Sequence, residues 1–327
     1  GLLAVLLAAF VQKEWKDQTR SPFDWQGFAA IVLFMPLAIY ALARGNSPSN
    51  PGGWSAPEVI GCFIVAGAAL AWFIAAELRN PAPLLQIRLL AERNFGISMA
   101  VLTLFAIGML GGTYLLPLYM QRGLGYTALA AGSMFLPVGV IQGVLSAVSG
   151  YLTRYVRPLL LSAAGILVMA LSFWLASRFT LHTTHGHILF ILYLRGFGMG
   201  LTFAPLNLFS LKNLTQQDMA AAAGISNSIK QLAGSIGIAL LTVILSARTS
   251  YHAAHETISA AQTYVEGVTD ALRVVAVITL AALLPLLWVF RKKRPGKSGV
   301  KGAATPSPGE TVSGKTEKTT IYRTKPE

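Results

Sequence analysis

Eight long apolar runs, near residues 26–43, 58–76, 96–119, 127–152, 158–178, 187–210, 220–247 and 271–290, constrain this chain more than any motif in it. Each is close to or above the ~20 residues that carry a helix across ~30 Å of hydrocarbon. A soluble core has no room for eight of them. The composition agrees: 12% of residues are charged and 54% hydrophobic, with a mean hydropathy of +0.57, whereas about a quarter of an ordinary globular domain is charged. A water-soluble enzyme, a coiled coil, a disulfide-stapled secreted domain and a disordered chain are thereby excluded. The runs are apolar on every side and contain Gly, Pro and Ala, whereas barrel strands alternate apolar and polar in pieces of about ten residues. The expected fold is all-α, a polytopic helical membrane protein.

In a soluble protein the formal net charge of +13 would point to nucleic acid. Here the basic residues lie between apolar blocks, where they set orientation, and no nucleic-acid partner is expected. One set of loops carries Lys13, Lys16, Arg20, Arg79, Arg88, Arg93, Arg154, Arg157, Lys212 and Arg291 to Arg294; the other carries only Arg44, Arg122, Arg178 and Arg248, with Arg273 just inside a helix. The richer set faces the cytoplasm, and the eight spans alternate without a break. Residues 291–327, basic and rich in Pro, Gly, Ser and Thr, are expected to be a disordered cytoplasmic tail, either simply solvated or brushing anionic lipid. The apolar run Gly1 to Val11 is about half a span and is expected to end a truncated helix; no signal-peptide pattern precedes Lys13. Cys62 is the single cysteine, so no internal disulfide forms. Leu78 to Phe95 has apolar residues at helical spacing opposite Arg88, Glu92 and Arg93, and reads equally as an interfacial amphipathic helix or as a connector.

Ionisable residues at depth cost ~2.5–3.5 kcal/mol on insertion scales, so each exception is a functional candidate. Lys230 lies about ten residues, or ~15 Å, into its span, near the bilayer midplane. It shares a helix face with Ser226, Asn227, Gly234 and Gly237, and that face is expected to look inward. Lining a cavity and bonding to a neighbouring carbonyl or amide are its two readings. Arg195 is nearer its outer span end, so snorkelling and a cavity role both stand open. Glu58, Glu77, Asp218 and Asp270 all fall at expected helix ends, leaving no carboxylate at depth to carry a coupling proton.

Gly132, Gly139 and Gly143, continued by Ser146 and Gly150, form a small-residue stripe for close helix contact, with Gln142 beside it. Pro117, Pro137, Pro205 and Pro285 are expected to kink or interrupt their helices. The run RGFGMG, Arg195 to Gly200, has neither the preceding strand nor the Gly-Lys-Ser ending of a phosphate loop, so it reads as helix packing. His182, His185, His187, His252 and His255 fall in two outer loops, where a cluster could bind metal or sense pH; ordinary loop histidines outweigh the metal reading, since no cysteine joins them. Neither a nucleophile–base pair nor a mid-membrane metal cluster is visible, so no enzymatic function and no metal are expected.

Three stretches carry a family resemblance: LLPLYMQRGLGYTALAAGSMFLP from Leu115 to Pro137, AAAAGISNSIKQLAGSIGIAL from Ala220 to Leu240, and NPAPLLQIRLLAERNF from Asn80 to Phe95. Together the chain resembles the fourteen-span drug:proton antiporters of the major facilitator superfamily, over essentially residues 1–290. The resemblance implies that 1–12 ends core helix six and that 13–94 is a central linker with two extra membrane helices and an amphipathic helix. It further implies that 95–290 is the C-terminal six-helix half, with the N-terminal six-helix half lying outside this chain.

The function it implies is proton-coupled multidrug efflux from the bacterial cytoplasmic (inner) membrane by alternating access. The proton is the coupling ion and there is no other cofactor. Small-molecule drugs, the lipid bilayer, the N-terminal half and a periplasmic adaptor are the partners to be considered. Lys230, Asn227, Arg195, Gln142 and Asn207 are the polar candidates for the cavity, with Tyr114 and Phe203 as aromatic contacts; Gly132, Gly139, Gly143, Gly234 and Gly237 are the packing candidates. Two alternatives share the sequence: a carrier of one anionic metabolite, with Lys230 and Arg195 holding its negative group, and a non-transporting membrane fragment.

Overall fold

In lipid every backbone N–H and C=O has to be satisfied within its own segment, so apolar runs of this length become helices. The computed structural model describes residues 24–45, 50–79, 87–216, 218–255 and 259–292; the expected helix end at 1–12 and the tail from 293 onward lie outside these. The helices are α1 (Trp25–Gly45), α2 (Pro57–Arg79), α3 (Arg93–Leu118), α4 (Ala128–Ser133), α5 (Leu136–Leu152), α6 (Pro158–Ala176), α7 (His185–Leu211), α8 (Met219–His255), α9 (Ala260–Ala281) and α10 (Leu283–Lys292). With α4–α5 and α9–α10 each taken as one stretch, eight among the described residues are long and apolar enough to cross a membrane. The protein is an all-helical, polytopic integral membrane protein.

The helix starts are set by side-chain caps. Glu92 accepts the Phe95 N–H at 2.7 Å, Thr127 accepts from Ala130 N–H and Ser259 from Gln262 N–H. The second oxygen of Glu92 accepts from Asn213 Nδ2 at 3.1 Å, tying the α7–α8 turn to the start of α3. α3 runs on through a π turn at Tyr119–Gly123. Gly125 follows with φ +71°, a left-handed conformation that explains the glycine of the Gly-Tyr-Thr stretch. The chain breaks between α4 and α5 just ahead of Pro137, which sits in the first turn of α5, where its missing N–H costs nothing. Pro117 and Pro205 lie inside helices that continue through them.

Several boundaries differ from the sequence expectation. Of 78–95, Leu78 and Arg79 end α2, Ile87–Ala91 form a 3₁₀ turn and Arg93 to Phe95 begin α3, while 80–86, where the amphipathic helix or connector was expected to run, lie outside the described residues. α8 extends to His255 and α9 begins at Ala260, so Asp270 stands well inside a helix rather than at its end. His252 and His255 belong to α8, and His185 and His187 to the first turn of α7, rather than to loops. The reason is common to all of them: beyond the hydrocarbon a helix has no need to be apolar, so polar residues conceal its continuation.

α3 is the hub, packing against α7, α8 and α9 and touching α10; α7 is sandwiched between α5 and α6, and α9 lies against α6 and α8. Phe95, Phe105, Leu115, Tyr119, Ile166, Phe173, Leu192 and Val268 are among the buried side chains of this shared core. α1 and α2 form a hairpin with a small cluster of their own, Ala41, Ala56 and Val59, and α1 also touches α8.

The glycines of RGFGMG set the spacing of α7. A Cβ on Gly200 would lie 2.6 Å from Leu145 Cβ on α5, and one on Gly198 would lie 2.8 Å from Met169 N on α6. Gly234 and Gly237 bring α8 onto Leu110 and Ile107 of α3 in the same way. Gly132, Gly139 and Gly143, in contrast, face open space: a Cβ there meets no described atom within 4 Å. Their expected helix contact is therefore not made within the described residues.

Candidate substrate-cavity wall

Arg195 stands about ten residues into α7, ~15 Å from its start. It is 1% exposed and so does not snorkel. Its Nη2 donates to the Met109 carbonyl at 2.9 Å and to Thr113 Oγ1. Thr113 in turn donates to the same carbonyl at 2.6 Å. The guanidinium lies 5.2 Å from the centre of the Phe173 ring on α6, a cation–π contact that partly replaces lost hydration. Nη1 has no hydrogen-bond partner among the described residues. A cation is thus enclosed by α3, α6 and α7 without a carboxylate in contact among the described residues.

This arrangement predicts an unusual stability pattern. Desolvating an ion costs several kcal/mol, and the hydrogen bonds here recover about 1.5–3 kcal/mol each. Arg195→Met is therefore expected to be neutral or mildly stabilising in thermal unfolding in detergent. Thr113→Val, which strips a partner from the buried charge, is expected to lose about 1–3 kcal/mol, and that loss should vanish in the Arg195→Met background. A large destabilisation by Arg195→Met would show that the guanidinium is better satisfied than its contacts imply.

Phe203, half-buried on α7, meets Phe105 of α3 edge to face at 5.5 Å between centroids. Tyr114 is 39% exposed on α3. Gln142 is half-buried on α5, its carbonyl beside Gly200, while Asn207 and Asn227 are exposed. Lys230 is half-buried and makes no hydrogen bond or ion pair with a described residue. It lies about two turns, ~10 Å, before the point where Gly237 meets Ile107, while Arg195 binds α3 beyond that point, at Met109 and Thr113. The two cations therefore stand at different levels. Arg195 and Phe203 come together along the α3–α7 seam; Lys230 and Asn227 lie apart from them on α8.

A second polar site was not anticipated from the sequence. Asp270, 8% exposed on α9, accepts Arg248 Nε at 2.8 Å, Arg273 Nη1 at 2.8 Å and a contact from His252 Nε2 at 3.0 Å. Glu266 Oε2 lies 3.4 Å from His252 Nδ1. A cavity of about 510 Å³ opens beside this cluster, lined by Arg178 and His182 from the α6–α7 connection and by Gln262, Glu266, Asp270 and Arg273 of α9. The signals were the i,i+4 spacing of Arg248 and His252 and the i,i+3 spacing of Asp270 and Arg273. All of these but Arg273 lie outside the apolar runs.

Comparison with known proteins follows the same lines as this architecture. The family model of the Major Facilitator Superfamily matches residues 3–238. The chain is 29% identical over 252 residues to the uncharacterized MFS-type transporter YhcA of Bacillus subtilis (strain 168), covering 77% of this chain and 47% of that protein. It is 28% identical over 234 residues to the fatty acid resistance protein FarB of Neisseria gonorrhoeae, covering 71% and 45%. With the multidrug export protein EmrB of Escherichia coli (strain K12) it shares 30% identity over 259 residues, covering 79% and 50%. The chain thus spans about half the length of the curated relatives it matches. Eight apolar helices among the described residues, a family match over most of the chain and relatives that include a multidrug export protein at 30% identity make it a member of the Major Facilitator Superfamily.

Proposed function

We propose that this chain is the C-terminal part of a proton-coupled multidrug transporter that exports small amphipathic compounds across the bacterial cytoplasmic membrane. The observation that carries the reading is the 30% identity to a multidrug export protein over 79% of the chain. Residues 95–290 act as one six-helix half, 13–94 as the linker with two extra helices, and 291–327 as a cytoplasmic tail. An N-terminal six-helix half completes the protein, and the two rock about a site near the midplane. α3, α5, α7 and α8 supply one wall of that site, with Lys230, Asn227, Asn207, Gln142, Tyr114 and Phe203 towards the solute and Arg195 bracing the α3–α7 seam behind it. The exposed stripe of Gly132, Gly139 and Gly143 receives the opposing half at close range. A periplasmic adaptor docks on the outer loops.

A second reading is favoured by one observation: Lys230 is a half-buried cation of α8 with no acidic partner among the described residues. That chemistry suits an amphiphile bearing a carboxylate, and one similar protein is a fatty acid resistance protein. The test is to express the complete reading frame in a drug-sensitive host and to measure susceptibility and solute-stimulated proton flux. Protection against several unrelated dyes, with flux on their addition, is expected. Protection confined to fatty acids would favour the second reading, and no protection with no flux would overturn both.

A further inference from the structure

The outer end of α8 and the first half of α9 carry an ion cluster that the export reading leaves unused. α8 is 37 residues long, about 55 Å at 1.5 Å per residue, against ~30 Å of hydrocarbon. Its last turns, with Arg248, Tyr251, His252 and His255, therefore project beyond the lipid core.

The contacts of His252 bear on its protonation. Its side chain is 11% exposed, with Nε2 3.0 Å from Asp270 Oδ2 and Nδ1 3.4 Å from Glu266 Oε2. A neutral imidazole has one N–H and one lone pair, so it can donate to one of these carboxylates and turns its lone pair on the other. The imidazolium keeps the hydrogen bond to Asp270 and sets a positive charge 3.4 Å from Glu266. Other charged and titratable groups among the described residues lie around it. Arg248 on α8 and Arg273 on α9 hold the two oxygens of Asp270, each at 2.8 Å. Tyr251 meets the His252 ring edge to face at 5.6 Å, and His255 stacks on Tyr251. From the α6–α7 connection, Arg178 and His182 line the cavity. On the side towards α3, Arg122 lies over the ring of Tyr264 instead. Both arginines in contact go to Asp270, and among the described residues His252 is the one cation paired with Glu266.

We propose that His252 is a proton-binding site: its imidazolium, held between Glu266 and Asp270, clamps the outer end of α8 to α9. The cavity of about 510 Å³ beside it gives a path to the outer aqueous phase. Loss of the proton keeps one contact, to whichever carboxylate the remaining N–H faces, and breaks the other. The arginine pairs hold Asp270 in place, so the contact given up is the one to Glu266, on the cavity side. The clamp then loosens between α8 and the turn of α9 that carries Gln262 and Glu266. This site is independent of which solute the protein carries.

The test uses the 327-residue chain in lipid nanodiscs with ¹⁵N-labelled histidine, and His252→Gln to assign the resonance. At pH 7.5, where ordinary imidazoles are mostly neutral, His252 is expected to show two protonated ring nitrogens. In Glu266→Gln it should revert to a single neutral tautomer. A neutral His252 in the unsubstituted chain, or an imidazolium unchanged by Glu266→Gln, overturns the proposal. A second readout guards against misfolded variants. The clamp stabilises the fold while His252 is charged and fails as pH rises, so Tm should fall between pH 6 and 9 more steeply in the parent than in His252→Gln. Equal slopes would refute the clamp.

Discussion

Replacing Lys230 by methionine is expected to leave insertion intact and to abolish export, with drug susceptibility returning to that of the host carrying an empty vector. Removing a charge from within an apolar span lowers the insertion cost, by ~2.5–3.5 kcal/mol at the depth proposed for Lys230, so a loss of function cannot be charged to failed insertion. Methionine keeps the length and flexibility of the stem, so the local packing of α8 is little altered. What disappears is a cation in a half-buried position without a hydrogen bond or ion pair to any described residue. If that ammonium contacts solute or cavity water, transport should fall by more than tenfold, which corresponds to ~1.4 kcal/mol or more at the limiting step. Lys230→Arg, which keeps the charge but changes its shape, should retain part of the activity and narrow the range of compounds. Export unchanged in Lys230→Met at equal membrane abundance would remove this residue from the wall.

The largest stability effect is expected at Gly237. A Cβ there would lie 2.8 Å from Ile107 Cα and press on the carbonyl of the same residue. The neighbour is backbone, held in the hydrogen-bonded interior of α3, and cannot rotate away as a side chain would. Gly237→Val therefore has to lift α8 off the hub helix, along the seam that also contains Gly234 and Leu241. A cost of about 3 kcal/mol, at the upper end of ordinary overpacking, is expected. Gly139→Val is the matched control, since a Cβ there meets nothing within 4 Å; in the 327-residue chain it should change stability by no more than about 0.5 kcal/mol. Thermal unfolding of both variants in one detergent measures the difference. Equal midpoints would mean that α3 and α8 do not pack through this glycine.

How much of the site was legible differs from residue to residue. The place of Lys230 within a long apolar helix followed from counting residues along an apolar run, and α8 does carry it. The packing role of RGFGMG followed from small residues recurring along a helix, and Gly198 and Gly200 do bring α7 onto α6 and α5. Arg195 was not decided by the same arithmetic. Snorkelling and burial differ by whether neighbouring helices close over the side chain, and it is Met109, Thr113 and Phe173, far away in sequence, that do so. Asp270 was misplaced outright. Apolarity alone ends α8 near Ala247 and begins the next helix near Ala271, cutting away the polar turns that hold Arg248, His252 and Glu266.

By itself the sequence determined the all-helical membrane class and the number of apolar crossings in the described chain. Those follow from transfer free energies that each segment carries independently of its neighbours. Only the tertiary structure decided which polar groups meet, that Arg195 is enclosed by α3 and α6, and that two carboxylates face one histidine. Those pairings depend on how each helix is rotated and how far it is shifted against the next, which glycine contacts such as Gly237 on Ile107 set across the bundle and no single segment contains.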